Sequence, residues 1–211
     1  MKKLPVGIQT FREIIDGNYV YADKTQYIYN LLTNGKCYFL SRPRRFGKSL
    51  LLDTIAEVFS GDRELFRGLW IYSSDWDFKK YPVIRMDMSL VDSKNENTLT
   101  ESLNNKLNEY SEVEGFNSVI LSSRLQQLIR ALHRKYGERV VILIDEYDKP
   151  LLDHIIDTET AEANRRVIKS FFGVLKGMDA YLKFVFFTGV SKFTKTSLFS
   201  EMNNLLDITL M

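Results

Sequence analysis

The chain has 211 residues, 29 lysines and arginines against 27 acids, and 45% apolar residues. That is one domain's length, enough to bury a core without staples and too apolar for disorder. A net charge of +2 gives no overall electrostatic reason to expect nucleic acid or an anionic membrane, and the single cysteine, Cys37, excludes an internal disulfide.

The chain starts with Lys2 and Lys3, but Arg12, Glu13 and Asp16 interrupt any apolar stretch of signal length. No run approaches the ~18 apolar residues of a spanning helix. The expectation is a cytoplasmic protein with no membrane partner. Residues 25–32 read as a short helix, and Cys37-Tyr38-Phe39-Leu40 as the first strand. Over residues 48–60, Leu51, Leu52, Ile55, Ala56 and Phe59 form a helical stripe that ends before Gly61. Val83-Ile84-Arg85-Met86-Asp87-Met88 reads as the second strand, followed by helices over 98–110 and 119–136. Val140-Val141-Ile142-Leu143-Ile144 is the third strand, residues 161–176 a helix, and Phe184-Val185-Phe186-Phe187 the fourth strand. A weaker fifth strand spans 205–210. The third and fourth runs are apolar without alternation, as parallel strands covered on both faces must be. Strand–helix alternation predicts an α/β domain with a mainly parallel sheet.

Between the first strand and its helix lies Ser41-Arg42-Pro43-Arg44-Arg45-Phe46-Gly47-Lys48-Ser49. Its end has the chemistry of a phosphate-binding loop of the Walker A type. Gly47 admits phosphate oxygens close to the backbone. The amides that follow, through Leu50, open a helix whose dipole favours anions. Lys48 is expected to reach the β- and γ-phosphates, and Ser49 to complete the shell of Mg²⁺. Pro43, Arg44, Arg45 and Phe46 complete the predicted nucleotide-binding loop. The full pattern wants a glycine five residues before Gly47, where this chain has Arg42. A solvated basic turn is the alternative, against which Phe46 argues.

The third strand runs into Asp145-Glu146, the Walker B pattern. Asp145 is expected to hold Mg²⁺ through its water shell, and Glu146 to polarise the attacking water as general base. Either carboxylate could instead begin a loop or cap a helix. Two half-signals at corresponding ends of two predicted parallel strands favour a shared site, because ligands of open α/β sheets bind there. At the tip of the fourth strand, Thr188 is the first candidate to hydrogen-bond the γ-phosphate or the water, and Ser191 the second; a Thr closing a strand before a Gly turn is the alternative. A strand lies between the two motif strands in sequence. That order suggests the ASCE-type P-loop division, a three-layer sandwich with sheet order 5-1-4-3-2.

Other signals are weaker. Asn105-Lys106-Leu107-Asn108 lacks the aspartate of guanine-specific sites, so ATP is expected. His133 and His154 are the only histidines and form no zinc motif. Arg165 and Arg166 are candidate trans-acting fingers in a homo-oligomer, with a solvated helix face as the alternative.

These residues resemble the bacterial predicted AAA-ATPase (AAA-ATPase-like) family. The resemblance rests on Leu4-Pro5-Val6-Gly7-Ile8-Gln9-Thr10-Phe11, Tyr19-Val20-Tyr21-Ala22-Asp23-Lys24-Thr25 and the phosphate loop. It continues through Leu143-Ile144-Asp145-Glu146-Tyr147-Asp148-Lys149-Pro150 and Phe187-Thr188-Gly189-Val190-Ser191-Lys192-Phe193. Arg42 in place of the first glycine is similar to the family's own pattern. The resemblance implies a single core over residues 1–211, with residues 1–35 as an extension that brings Tyr21 and Asp23 near the adenine; a surface turn capped by Asp23 is the alternative. Relatives that continue into a nuclease-like C-terminal domain imply that this core lacks a helical lid and nuclease half. The expected function is an ATPase that uses Mg²⁺ to drive a conformational change. A nucleotide-binding switch or scaffold without useful turnover, or a small-molecule phosphotransferase, are the alternatives.

Overall fold

A computed structural model describes residues 2–191 and 205–209. Lys192 and Phe193 of the fourth-strand motif, and Leu210 of the fifth predicted strand, lie outside the described residues. Five strands form one sheet: β1 (Cys37–Ser41), β2 (Val83–Asp87), β3 (Val140–Asp145), β4 (Leu182–Gly189) and β5 (Leu206–Asp207). Their order is β2-β3-β4-β1-β5, the expected order read from the other side, and every pair is parallel. Seven α-helices accompany them among the described residues. They are α1 (Phe11–Asp16), α2 (Thr25–Asn34), α3 (Lys48–Ser60), α4 (Glu96–Asn108), α5 (Leu121–Tyr136), α6 (Lys149–Leu152) and α7 (Thr158–Gly173).

The period of two along each strand divides the core into two apolar layers. Phe39, Ile142, Ile144, Val185 and Phe187 point to one face, where α4, α5 and α7 bury Leu103, Leu128, Ile129, Phe171 and Phe172. Tyr38, Leu40, Val141, Leu143, Phe184 and Phe186 point to the other, against Ile28 of α2 and Leu52, Ile55 and Phe59 of α3. Both faces of the central strands are therefore covered, which is why their sequences do not alternate.

The N-terminal segment is fastened to α3. The Phe11 N–H donates to Asp53 Oδ2 at 2.6 Å, and Arg12 bridges Glu57 at 2.8 Å and Asp62 at 3.0 Å. The other oxygen of Asp53 accepts from Arg85 of β2. β2 stands at the sheet edge, where the Tyr110 hydroxyl accepts from the Arg85 N–H at 2.8 Å and donates to the Arg85 carbonyl at 3.4 Å.

Candidate functional site

The Arg42 N–H extends the β1–β4 ladder by donating to the Gly189 carbonyl at 3.2 Å, after which the chain leaves the sheet. Arg45 (φ 68°) and Gly47 (φ 72°) then turn it through the left-handed region. A Cβ at Gly47 would meet nothing within 4 Å, so the backbone angle, not space, calls for glycine there. Arg45 adopts a similar angle without that freedom, at a cost of about 1–2 kcal/mol. Lys48 opens α3 and is 5% exposed. Its ammonium donates to the Arg42 carbonyl at 2.9 Å and the Pro43 carbonyl at 3.1 Å, which ties the loop into a closed turn. No side chain caps the start of α3.

Across the sheet, Asp145 ends β3 and is 5% exposed. Its Oδ1 accepts from the Thr188 hydroxyl and from the Glu146 N–H at 3.1 Å. The Glu146 N–H also points at Thr188 Oγ1 at 3.2 Å. Glu146 itself sits at φ 49°, a second strained non-glycine position. The Glu146 carboxyl is raised above the ordinary carboxylate range, first by burial and then by Asp145 and Asp87, while Lys48 and Arg44 pull it back.

Behind these groups Asp148 clamps the β4 tip. Its Oδ2 accepts from the Val190 N–H at 2.9 Å and the Ser191 N–H at 2.6 Å. Burial raises this carboxyl, and those backbone donors oppose the shift. The Tyr147 N–H donates to the Thr188 carbonyl at 3.0 Å, and its hydroxyl to the Ser191 carbonyl at 3.0 Å. The loop after β3 and the tip of β4 are thus tied to each other by four hydrogen bonds.

The two half-motifs meet in one cleft of about 560 Å³. Of the residues picked out by sequence, it is lined by Arg44, Arg45, Gly47, Lys48, Ser49, Leu50, Asp145 and Glu146. Tyr21, with Pro5, Ile14, Leu50 and Leu51, lines an apolar pocket of about 270 Å³ that shares Gly47 and Leu50 with the cleft. The remaining candidates sit elsewhere. Phe46 is 63% exposed and Pro43 offers its carbonyl to Lys48; neither lines the cleft. Asp23 lines neither cavity, because its carboxylate accepts from the Thr25 N–H at 2.8 Å and the Trp70 N–H at 2.7 Å. Thr188 is wholly buried behind Asp145, to whose Oδ1 it donates, and does not line the cleft. Arg165 pairs with Glu162 at 2.7 Å, and Arg166 lies 3.9 Å from Glu96.

Sequence reasoning gave no role to five residues of the cleft: Gly7, Ile8, Gln9, Asp87 and Ser89. Gly7 to Gln9 belong to the N-terminal block that carried the resemblance, but they match no chemical motif. Asp87 is in register with Asp145 on the adjacent strand, and that register could have flagged it.

A parallel sheet of this order, with a glycine–lysine–serine turn facing an acidic strand end, defines a P-loop NTPase. The profile of the family described as predicted AAA-ATPase matches residues 5–199, and the chain belongs to that family. An uncharacterized protein in the vnfD 5′ region of Azotobacter chroococcum mcd 1 is 45% identical over 214 residues, covering 99% of this chain and 41% of that protein. The chain therefore spans less than half the length of this curated relative. The crystal structure of Cdc6p from Pyrobaculum aerophilum aligns at a TM-score of 0.42 and 10% identity, over 93% of this chain and 43% of that one.

Proposed function

We propose that this chain binds ATP with Mg²⁺ in the cleft between the phosphate loop and the Asp145–Glu146 pair, and hydrolyses it. One observation carries the reading: Lys48, Ser49, Asp145 and Glu146, nearly a hundred residues apart in two pairs, line the same concavity. The Lys48 ammonium, now on two loop carbonyls, exchanges them for phosphate oxygens. Ser49 and Asp145 offer the hard oxygen ligands that suit Mg²⁺, which takes few from protein. Asp145 keeps both protein donors on Oδ1, which leaves Oδ2 for an ion and its water shell. Bound there, Mg²⁺ neutralises phosphate charge. Glu146 takes the proton of the attacking water, and its raised carboxyl brings its basicity nearer to neutral pH.

The adenine lies against Tyr21, Leu50 and Leu51 in the adjoining apolar pocket. This assigns the N-terminal segment to the nucleotide site within a single core. Movement of the zipped Asp145-to-Ser191 unit is the conformational output. A homo-oligomer and a further domain in longer relatives belong to the same reading.

Calorimetry with ATP, GTP and ADP, with and without Mg²⁺, tests it. ATP binding is expected to disappear in Lys48→Ala, and Glu146→Gln to bind ATP without turning it over. A heat of binding unchanged by Lys48→Ala removes the site assignment. Full turnover by Glu146→Gln removes that residue from the mechanism.

A further inference from the structure

The phosphate loop carries an arginine that shares a cleft with the candidate base. Arg44 is exposed, yet it lines the cleft together with Lys48, Ser49, Asp145 and Glu146. Among the described residues, no carboxylate forms an ion pair with its guanidinium. Its cleft also holds Asp87, so the guanidinium shares one concavity with three acids and with Lys48. The backbone on both sides of Arg44 is fixed. The Arg42 and Pro43 carbonyls are held by Lys48, and Arg45 is locked in the left-handed region. The arginines that sequence offered as trans-acting fingers are turned toward acids of α7 and α4 instead.

We propose that Arg44 is a catalytic residue that stabilises the transferring phosphoryl group from within the same chain, so that turnover needs no arginine from a neighbouring subunit. The inference rests on the reading of the cleft as an ATP site. In the step concerned, the water oxygen forms a bond to the γ-phosphorus while the bond from that phosphorus to the β,γ-bridging oxygen breaks. The bridging electron pair leaves with ADP, and the water proton passes to Glu146. Negative charge spreads over the equatorial γ-oxygens and the bridge, where a pre-placed guanidinium lowers the barrier more than it tightens ground-state binding.

Arg44→Ala is the variant, and its exposed position leaves folding intact. The kcat is expected to fall by about 10²- to 10³-fold, with the KM for ATP changed by less than about 10-fold. Affinity for ADP with aluminium fluoride and Mg²⁺, which mimics the transferring group, is expected to drop with kcat, while affinity for ADP alone holds. Arg44→Lys keeps the charge but loses the fork, and recovers part of the rate. Specific activity of the wild type is expected to stay constant as protein concentration is lowered. A wild-type kcat in Arg44→Ala overturns the proposal. So does specific activity that climbs with concentration, or rescue of Arg44→Ala by mixing with Glu146→Gln. Loss of binding in Lys48→Ala keeps the ATP-site reading standing in each of those cases. Nucleotide binding that ignores Lys48 overturns the reading itself.

Discussion

Thr188 shows what a buried hydroxyl does beside an acid. It donates to Asp145 Oδ1 and faces the Glu146 N–H, so one side chain holds the Asp145 carboxylate and the backbone of Glu146. Thr188→Val keeps the shape and removes the donor. Its expected cost is about 1–3 kcal/mol of stability, read from the urea midpoint, because a buried acceptor is left short of a partner. Thr188→Ser is expected to recover most of that loss; an unperturbed Thr188→Val would show that the hydroxyl orients nothing. At this scale the sequence was informative about residue type and mute about direction. The convergence of Lys48, Ser49, Asp145 and Glu146 on one cleft was legible, because their two motifs close corresponding ends of parallel strands. The turn of the Thr188 hydroxyl onto Asp145 was not legible, since a position at a strand tip says nothing about which way a hydroxyl points. For Asp23 the alternative of a capped turn fits the hydrogen bonds, with Oδ1 on the Thr25 N–H where α2 begins and Oδ2 on the Trp70 N–H.

Gly189 joins two elements that would otherwise collide. A Cβ there would lie 2.5 Å from Tyr147 Cε1 and 2.9 Å from Asp148 Oδ1. Gly189→Ala is therefore expected to destabilise the domain by about 1–3 kcal/mol and to loosen the joint between the loop after β3 and the β4 tip. Combined with Tyr147→Leu, it should lose less than the two single variants together, because the ring causes the clash. Strict additivity in denaturation would mean that the ring and the glycine do not meet. Strands were the most legible elements, since unbroken apolar runs such as residues 140–144 fit nothing else of that length. Helix ends were less so. α7 runs from Thr158 to Gly173 and a 3₁₀ segment continues to Tyr181, where the sequence suggested one helix over 161–176. α1 was missed because six residues show too little periodicity. Tertiary contacts hold it as helix: Phe11 and Ile14 are buried, and the segment is tied to Asp53, Glu57 and Asp62.

For the molecule as a whole, alkaline pH is the weak side. Burial pushes the Cys37 thiol from 9.0 up to about 11, and burial is also the main cause that raises the phenols of Tyr21, Tyr38, Tyr81 and Tyr110. Each group holds its proton more tightly folded than unfolded. Their stabilising contribution is intact below the unfolded values and is lost as pH rises through the folded ones. The urea midpoint is expected to fall between about pH 9 and about pH 11, less steeply in Cys37→Ala. A flat profile across that window would contradict the burial that the two apolar layers imply. Those layers follow from strand alternation, which the sequence shows once the strands are found; which helices cover which face depends on the crossovers and was not legible. The Tyr110 hydroxyl on the rim of the sheet has one more effect. By occupying both main-chain groups of Arg85, it puts a stopper in the middle of the β2 border. A stray extended segment cannot zip along β2 without first evicting that phenol, and the fold is thereby guarded against runaway self-association through its own ladder.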